Sequence, residues 1–239
     1  MRTRRNRLAR LVIAIIVVGA AGAYLYVRGP DLFLTPLPPP PTITAPQGAL
    51  PQGVVVFRER APGEPCVGSA WYLRLPDGEV AAVTVAHSHA GWPAAGMEFT
   101  LSDCGTALAA FPEMLRRGHR FEGFDLTTDY TILRVSAPPA AALVLEPDPR
   151  GAPQPGERVA LYHGLGDSSG GQGSVEGTIE SAQATAAWAR MPPGSVYGGM
   201  SGGAVISTYT GKVVGMAIVI SPRPGATVVG ISPIAALVR

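Results

Sequence analysis

From Val54 onward the chain offers no long run of 3.6-residue periodicity. Short runs rich in Val, Ile, Leu and Tyr recur instead between turn signals, which is the pattern of strands rather than helices. The runs predict strands near 54–58, 67–75, 80–86, 97–101, 131–135, 159–162, 175–179, 204–206, 213–220 and 228–231. Asp77-Gly78 sets a hairpin turn, and Thr210-Gly211 another. Residues 234–238 suit a short closing helix. Ten or more strands over 53–239 imply an all-β sandwich or double barrel. The 30 Gly and 24 Pro agree with many turns, and the absence of a Gly-X-Y period excludes collagen. A charged fraction of 15% argues against a disordered tail protein.

The ends of the chain differ in charge. Residues 1–28 hold six Arg and no acid, leaving the rest with 13 basic and 17 acidic residues. A body of net charge −4 lacks the basic patch that phosphate neutralisation needs, so nucleic acid is not an expected partner. The 7% aromatic content also argues against base-stacking platforms.

Residues 11–27 are 17 uncharged, mostly apolar residues behind five Arg. As a helix they would span about 25 Å, slightly short of a hydrocarbon core of roughly 30 Å. Leu8 and Ala9 extend the span if Arg10 snorkels. Two readings stay open. One is an uncleaved signal anchor with Tyr24 and Tyr26 at the outer interface; the other is a signal peptide cut after Ala21-Gly22-Ala23. In both, the Arg cluster stays cytoplasmic and the body is exported. The body is then held at a cell membrane by a single pass through the lipid bilayer, or secreted if the segment is cut. Seven Pro in residues 36–51 predict an extended polyproline spacer of roughly 50 Å. The domain partition is thus 1–28 for the basic end and membrane segment, 29–52 for the Pro-rich linker and 53–239 for the body. In an exported body Cys66 and Cys104 predict a disulfide, with two buried thiols as the alternative.

Candidate chemistry centres on Gly198-Gly199-Met200-Ser201-Gly202-Gly203. Flanking glycines let backbone N–H groups crowd one point, so Gly199 and Ser201 could donate into an oxyanion hole. An ordinary Gly-rich loop is the bland alternative, and 164–174 is one. A serine nucleophile needs a base. His87 ends the apolar run Val83-Thr84-Val85-Ala86, where a scaffold can hold an imidazole at its rim. Asp129 leads directly into a buried-looking strand, where a carboxylate needs a donor such as a His N–H. Asp125 is a rival without a following apolar strand. His89 could pair with His87 at a metal, but no third ligand is evident. His163 and Asp167 read as loop surface. No metal or cofactor is expected.

Taken together, Thr84-Val85-Ala86-His87, then 129–135 (DYTILRV), then Gly199-Met200-Ser201-Gly202-Gly203 resemble the trypsin-like serine peptidases of the chymotrypsin fold, in their His…Asp…Ser order. The compact bacterial HtrA-type domains are the most similar variant, without a PDZ domain. Residues 156–160 resemble the family's strand after the interdomain link, and 227–237 its final strand. The resemblance implies two packed six-stranded antiparallel β-barrels with the site between them. It implies Ser201 as nucleophile, His87 as base then acid, and Asp129 as the group that orients the imidazole. Ser195 and 218–220 (Ile218, Val219, Ile220) would line the substrate pocket. Met200 replaces the Asp used in zymogen activation, and Ser195 the acid that binds Lys or Arg. The implied function is a membrane-tethered serine endopeptidase acting on polypeptides, not specific for basic residues. A catalytically silent peptidase-fold binding module at the cell envelope is the alternative. Oligomeric state is not legible.

Overall fold

The computed structural model describes residues 36–89, 97–101, 103–111, 113–166, 172–194 and 199–239. The segment 11–27 and Ser195 lie outside the described residues. Among the described residues no helix is long and apolar enough to cross a membrane.

The first set of strands is β1 Val56–Arg60, β2 Gly68–Arg74, β3 Val80–Thr84, β4 Met97–Thr100, β5 Ala109–Phe111, β6 Met114–Arg117, β7 Thr131–Arg134 and β8 Val144–Leu145. The second is β9 Arg158–His163, β10 Gly173–Ala182, β11 Ala187–Met191, β12 Ala204–Ser207, β13 Val213–Arg223 and β14 Ala226–Pro233. Four of these, β5, β6, β8 and β11, carry little strand signal in the sequence. In β11 two alanines provide much of the buried face, β6 is half-buried throughout, and β5 and β8 are very short. The closing helix expected at 234–238 is a single 3₁₀ turn, Ile234–Ala236, on whose Ile234 carbonyl the Leu237 and Val238 amides converge.

The second set closes into a six-stranded antiparallel barrel, β10-β11-β14-β13-β12-β9. The first set departs from the expected six. It runs β5-β4-β1-β2-β3-β7-β6, and β8 lies parallel beside β2. It is barrel-like, but among the described residues no ladder joins β5 to β6. Pro112 between them has no N–H to give to one.

Strand alternation builds three layers of core from two sheets. Phe57, Tyr72, Phe99 and Phe111 fill the first barrel. Val159, Leu161, Ile179, Val205 and Val229 fill the second. Between the barrels, Val56, Trp71, Val83 and Val85 meet Tyr162, Ile206, Met216 and Ile218. Successive residues such as Trp71 and Tyr72 therefore serve different cores. Strands buried on both faces read as continuous apolar runs.

The Pro-rich stretch carries no strand or helix, as expected, but it is not a free spacer over its whole length. Gly48 donates to the Tyr209 carbonyl at 2.9 Å. A Cβ on Gly156 would stand 1.9 Å from the Pro39 carbonyl oxygen. The segment lies along the second barrel at both points. Cys66 and Cys104 form the expected disulfide, closing a separation of 38 residues. On the chain-entropy view such a closure stabilises by about 4 kcal/mol.

Asp148, Arg150 and Glu157 form a buried ionic cluster at the second barrel. Arg150 contacts Asp148 at 2.7 Å and Glu157 at 2.8 Å, and Thr210 and Ser207 donate to the two carboxylates. Burial pushes the Asp148 carboxyl up, but hydrogen bonds from Arg150 and Thr210 hold it below its ordinary value. Its stabilising share is therefore present above the ordinary carboxylate range and is lost as pH falls through the depressed value. Arg150→Met leaves two carboxylates buried without their cation, and should cost about 3–5 kcal/mol in urea unfolding at neutral pH. A change under about 1 kcal/mol would show that the cluster does not hold the barrel.

Candidate active site

Strands β3 and β7 pair with Thr84 opposite Thr131. Just beyond the ladder, the chain leaves β3 through Val85 and Ala86 into a 3₁₀ turn, His87–His89. On the neighbouring strand the residue two before Thr131 is Asp129. The ladder thus delivers the two side chains to one place. Asp129 is fully buried. Its Oδ1 accepts the Ala86 and His87 amides at 2.8 and 3.0 Å, and its Oδ2 faces His87 Nδ1 at 2.8 Å. Phe121 N–H adds a longer bond at 3.4 Å.

Burial pushes the Asp129 carboxyl up, but the His87 and Ala86 hydrogen bonds outweigh it and hold the group below its ordinary value. Asp129 is an anion at neutral pH. An ionised carboxylate only accepts, so the His87 nitrogen that faces it, Nδ1, carries a proton, and Nε2 is the nitrogen turned away from Asp129. The His87 ring is 24% exposed in its side chain and packs edge-on against Phe121.

Ser201 comes from the second barrel. The turn before β12 needs glycine at two points. Gly199 has φ 96° and Gly202 φ 88°, and a Cβ on Gly202 would stand 2.0 Å from the Ser69 carbonyl oxygen. Among the described residues the Gly199 and Ser201 amides have no acceptor. The Ser201 hydroxyl donates to the Ile218 carbonyl at 3.1 Å. That carbonyl is available because β13 breaks register between Ala217 and Val219, leaving Ile218 as the extra residue of a bulge. Ile218 is buried, and Val219 and Ile220 are half-buried beside it.

The rival residues fall elsewhere. Asp125 accepts from its own turn, from Thr127 N–H and Oγ1–H. His119 Nδ1 bonds the Arg120 carbonyl on the surface. His163, expected as loop surface, is instead buried at the end of β9. Burial first, then the charge of Arg58, hold it below its ordinary range, so it is neutral. The His89 side chain and Asp167 lie outside the described residues. Among the described residues no three His, Cys, Asp or Glu gather at a metal-binding point.

Sequence reasoning missed Ser69, Trp71 and Thr84. Ser69 and Trp71 join the two halves at the site, and Thr84 braces Ser69. Ser69 N–H donates to the Ser201 carbonyl at 2.8 Å, and its hydroxyl donates to the Gly199 carbonyl at 2.8 Å while accepting Gly164 N–H. Trp71 Nε1–H reaches the Gly202 carbonyl at 2.9 Å. Thr84 donates to the Ser69 carbonyl. The signal was a buried Ser and Thr inside otherwise apolar strands, which need partners from outside the strand.

Comparisons agree with this architecture. Residues 54–216 match a family model described as a trypsin-like peptidase domain. No curated protein matches the chain. Among solved structures, kallikrein-related peptidase 10 aligns with TM-score 0.52 and 14% identity, covering 75% of this chain and 89% of that one. A serine endoprotease from Yersinia pestis aligns with TM-score 0.50 and 20% identity over 77% of this chain and 59% of that one. The MamO protease domain of Magnetospirillum magneticum gives 0.49 and 16%, covering 77% and 94%. At these identities the first two support the shared fold.

Ser69→Ala removes the hydroxyl that bonds Gly199 and Gly164. It should cost about 1–3 kcal/mol in denaturant unfolding, because it strands a buried N–H and a carbonyl. Unchanged stability would show that Ser69 does not tie the two barrels at this point.

Proposed function

The chain belongs to the trypsin-like peptidase domain family, and from that premise we propose that it is a serine endopeptidase cutting polypeptides through an acyl-enzyme. The carrying observation is the sealed Asp129, which fixes the His87 proton on Nδ1 and leaves Nε2 as a base. In this reading Ser201 turns from the Ile218 carbonyl toward Nε2 when substrate enters. His87 takes the hydroxyl proton as Oγ attacks the scissile carbonyl. The Gly199 and Ser201 amides receive the developing oxyanion. His87⁺, stabilised by Asp129, then gives its proton to the leaving amine, and water repeats the sequence on the acyl-enzyme.

Ser195 and 218–220 would line the acyl-side pocket. With Ser at 195 and Ile at 218 and 220, apolar residues fit better there than Lys or Arg. Met200 is fully buried and brings no carboxylate for a new N-terminus to pair with, so activation by N-terminal cleavage is not part of this reading.

The catalytically silent binding module is kept as a second reading for one reason: the Ser201 hydroxyl rests on a carbonyl. A fluorophosphonate probe separates the two. Wild-type protein should be labelled, Ser201→Ala should not, and Asp129→Asn should lose roughly 10³–10⁴-fold in rate through the wrong imidazole tautomer. Folded wild type that resists the probe across about pH 5–9 would favour the silent module.

The basic end and 11–27 further support export with a membrane anchor, partitioned as 1–28, 29–52 and 53–239. Carbonate extraction of membranes from cells making the full chain should leave it in the pellet. Release of the intact chain into the supernatant would contradict the anchor.

A further inference from the structure

Strand β1 alternates, with Val56 and Arg58 on one face and Phe57 on the other. Phe57 enters the first barrel and Val56 the layer between barrels. Arg58 therefore reaches toward the second barrel. It arrives beside the turn that carries Ser201: a Cβ on Gly199 would stand 3.1 Å from Arg58 Nη1, and one on Gly164 would stand 2.9 Å from its Cδ. The residue is only 8% exposed.

A guanidinium carries five N–H donors. Among the described residues Arg58 uses one, from Nη2 to the Cys66 carbonyl at 3.0 Å. Its Nε is buried with no partner. No salt bridge engages it among the described residues, although the neighbouring Glu59 carboxylate acts on it through space, and the adjacent His163 is neutral and has its own Nδ1 buried without a partner. Burying a cation with most donors idle is costly, and neither lysine nor a neutral side chain would demand so much of the site. The group that answers a guanidinium fork is a carboxylate.

The position says which part of a substrate would bring it. On the peptidase reading, the acyl half lies along 218–220. Arg58 pairs in register with Ser69, which is bonded to Gly199, so it lies at the Gly199 flank of the turn, whereas 218–220 meets the turn where the Ser201 hydroxyl rests on the Ile218 carbonyl. On the same reading the leaving half of the peptide passes the Gly199 flank. We propose that Arg58 selects substrates with a carboxylate on the leaving half, within a residue or two of the scissile bond. This rests on the peptidase reading and deepens it. Both an acidic side chain and a chain-terminal carboxylate supply that chemistry.

Acyl transfer tests it, because added amines enter through the leaving-group side. The acyl-enzyme is formed from a small apolar amino-acid ester and captured by Ala-Asp-amide, Ala-Asn-amide, Ala-Ala-amide or free Ala-Ala. Ala-Asp-amide should outcompete its isosteric Ala-Asn-amide by about tenfold. Preference for free Ala-Ala over its amide would assign the terminal carboxylate instead. Arg58→Met should abolish the preference while capture of Ala-Ala-amide serves as reference, and Arg58→Lys should restore part of it. If Arg58→Met does not fold, wild type alone decides, since equal capture of charged and neutral acceptors overturns the proposal. Failure to form any acyl-enzyme is a different result: it removes the peptidase reading, and this inference with it.

Discussion

A carboxylate with no solvent exposure must receive its hydrogen bonds from the chain, and Asp129 sets that requirement for the rest of the site. Two close backbone amides and one imidazole N–H meet it, with the Phe121 N–H farther off. The amides come from the turn just after β3 and the carboxylate from just before β7, so the β3–β7 ladder has to be in register for the charge to be tolerated. The same bonds choose the His87 tautomer. Satisfying the carboxylate and orienting the imidazole are one event.

The second requirement is that two barrels meet at a fixed distance. Apolar packing between them supplies attraction without direction. Direction comes from Ser69 and Trp71, which tie β2 to the 199–202 turn, and from Thr84 on β3, which holds Ser69 in place. Glycine at 202 is a consequence: the Ser69 carbonyl occupies the space a side chain would need. The bulge at Ile218 works from the other side by offering Ser201 a carbonyl. Arg58 belongs to the same junction, and its idle donors distinguish it from the half-buried Arg150, whose carboxylates are both at hand.

Much of this was legible in the sequence. His87 and Asp129 were readable because each ends or begins an apolar run, where a polar residue needs a reason, and Ser201 because glycines flank it. Long strands such as β13 declared themselves by continuous Val and Ile. What stayed hidden was of two kinds. Strands such as β11 bury alanine, whose small area leaves a weak pattern, and β8 is held by pairing with β2 rather than by its own two residues. The inter-barrel side-chain hydrogen bonds of Ser69 and Trp71 join residues 95 to 131 positions apart, and no local pattern encodes such a partner. The Pro-rich stretch is legible as extended, but not as applied to the barrel.

On the proposed reading Ser201, His87 and the Gly199 turn act on one carbonyl. A crystal structure of the fluorophosphonate adduct tests it most directly. The expected adduct has a bond from Ser201 Oγ to phosphorus, the phosphoryl oxygen within hydrogen-bond reach of the Gly199 and Ser201 amides, and His87 Nε2 facing it. A phosphonate attached to another residue, or a Ser201 still bonded to the Ile218 carbonyl after exposure to the reagent, would contradict it.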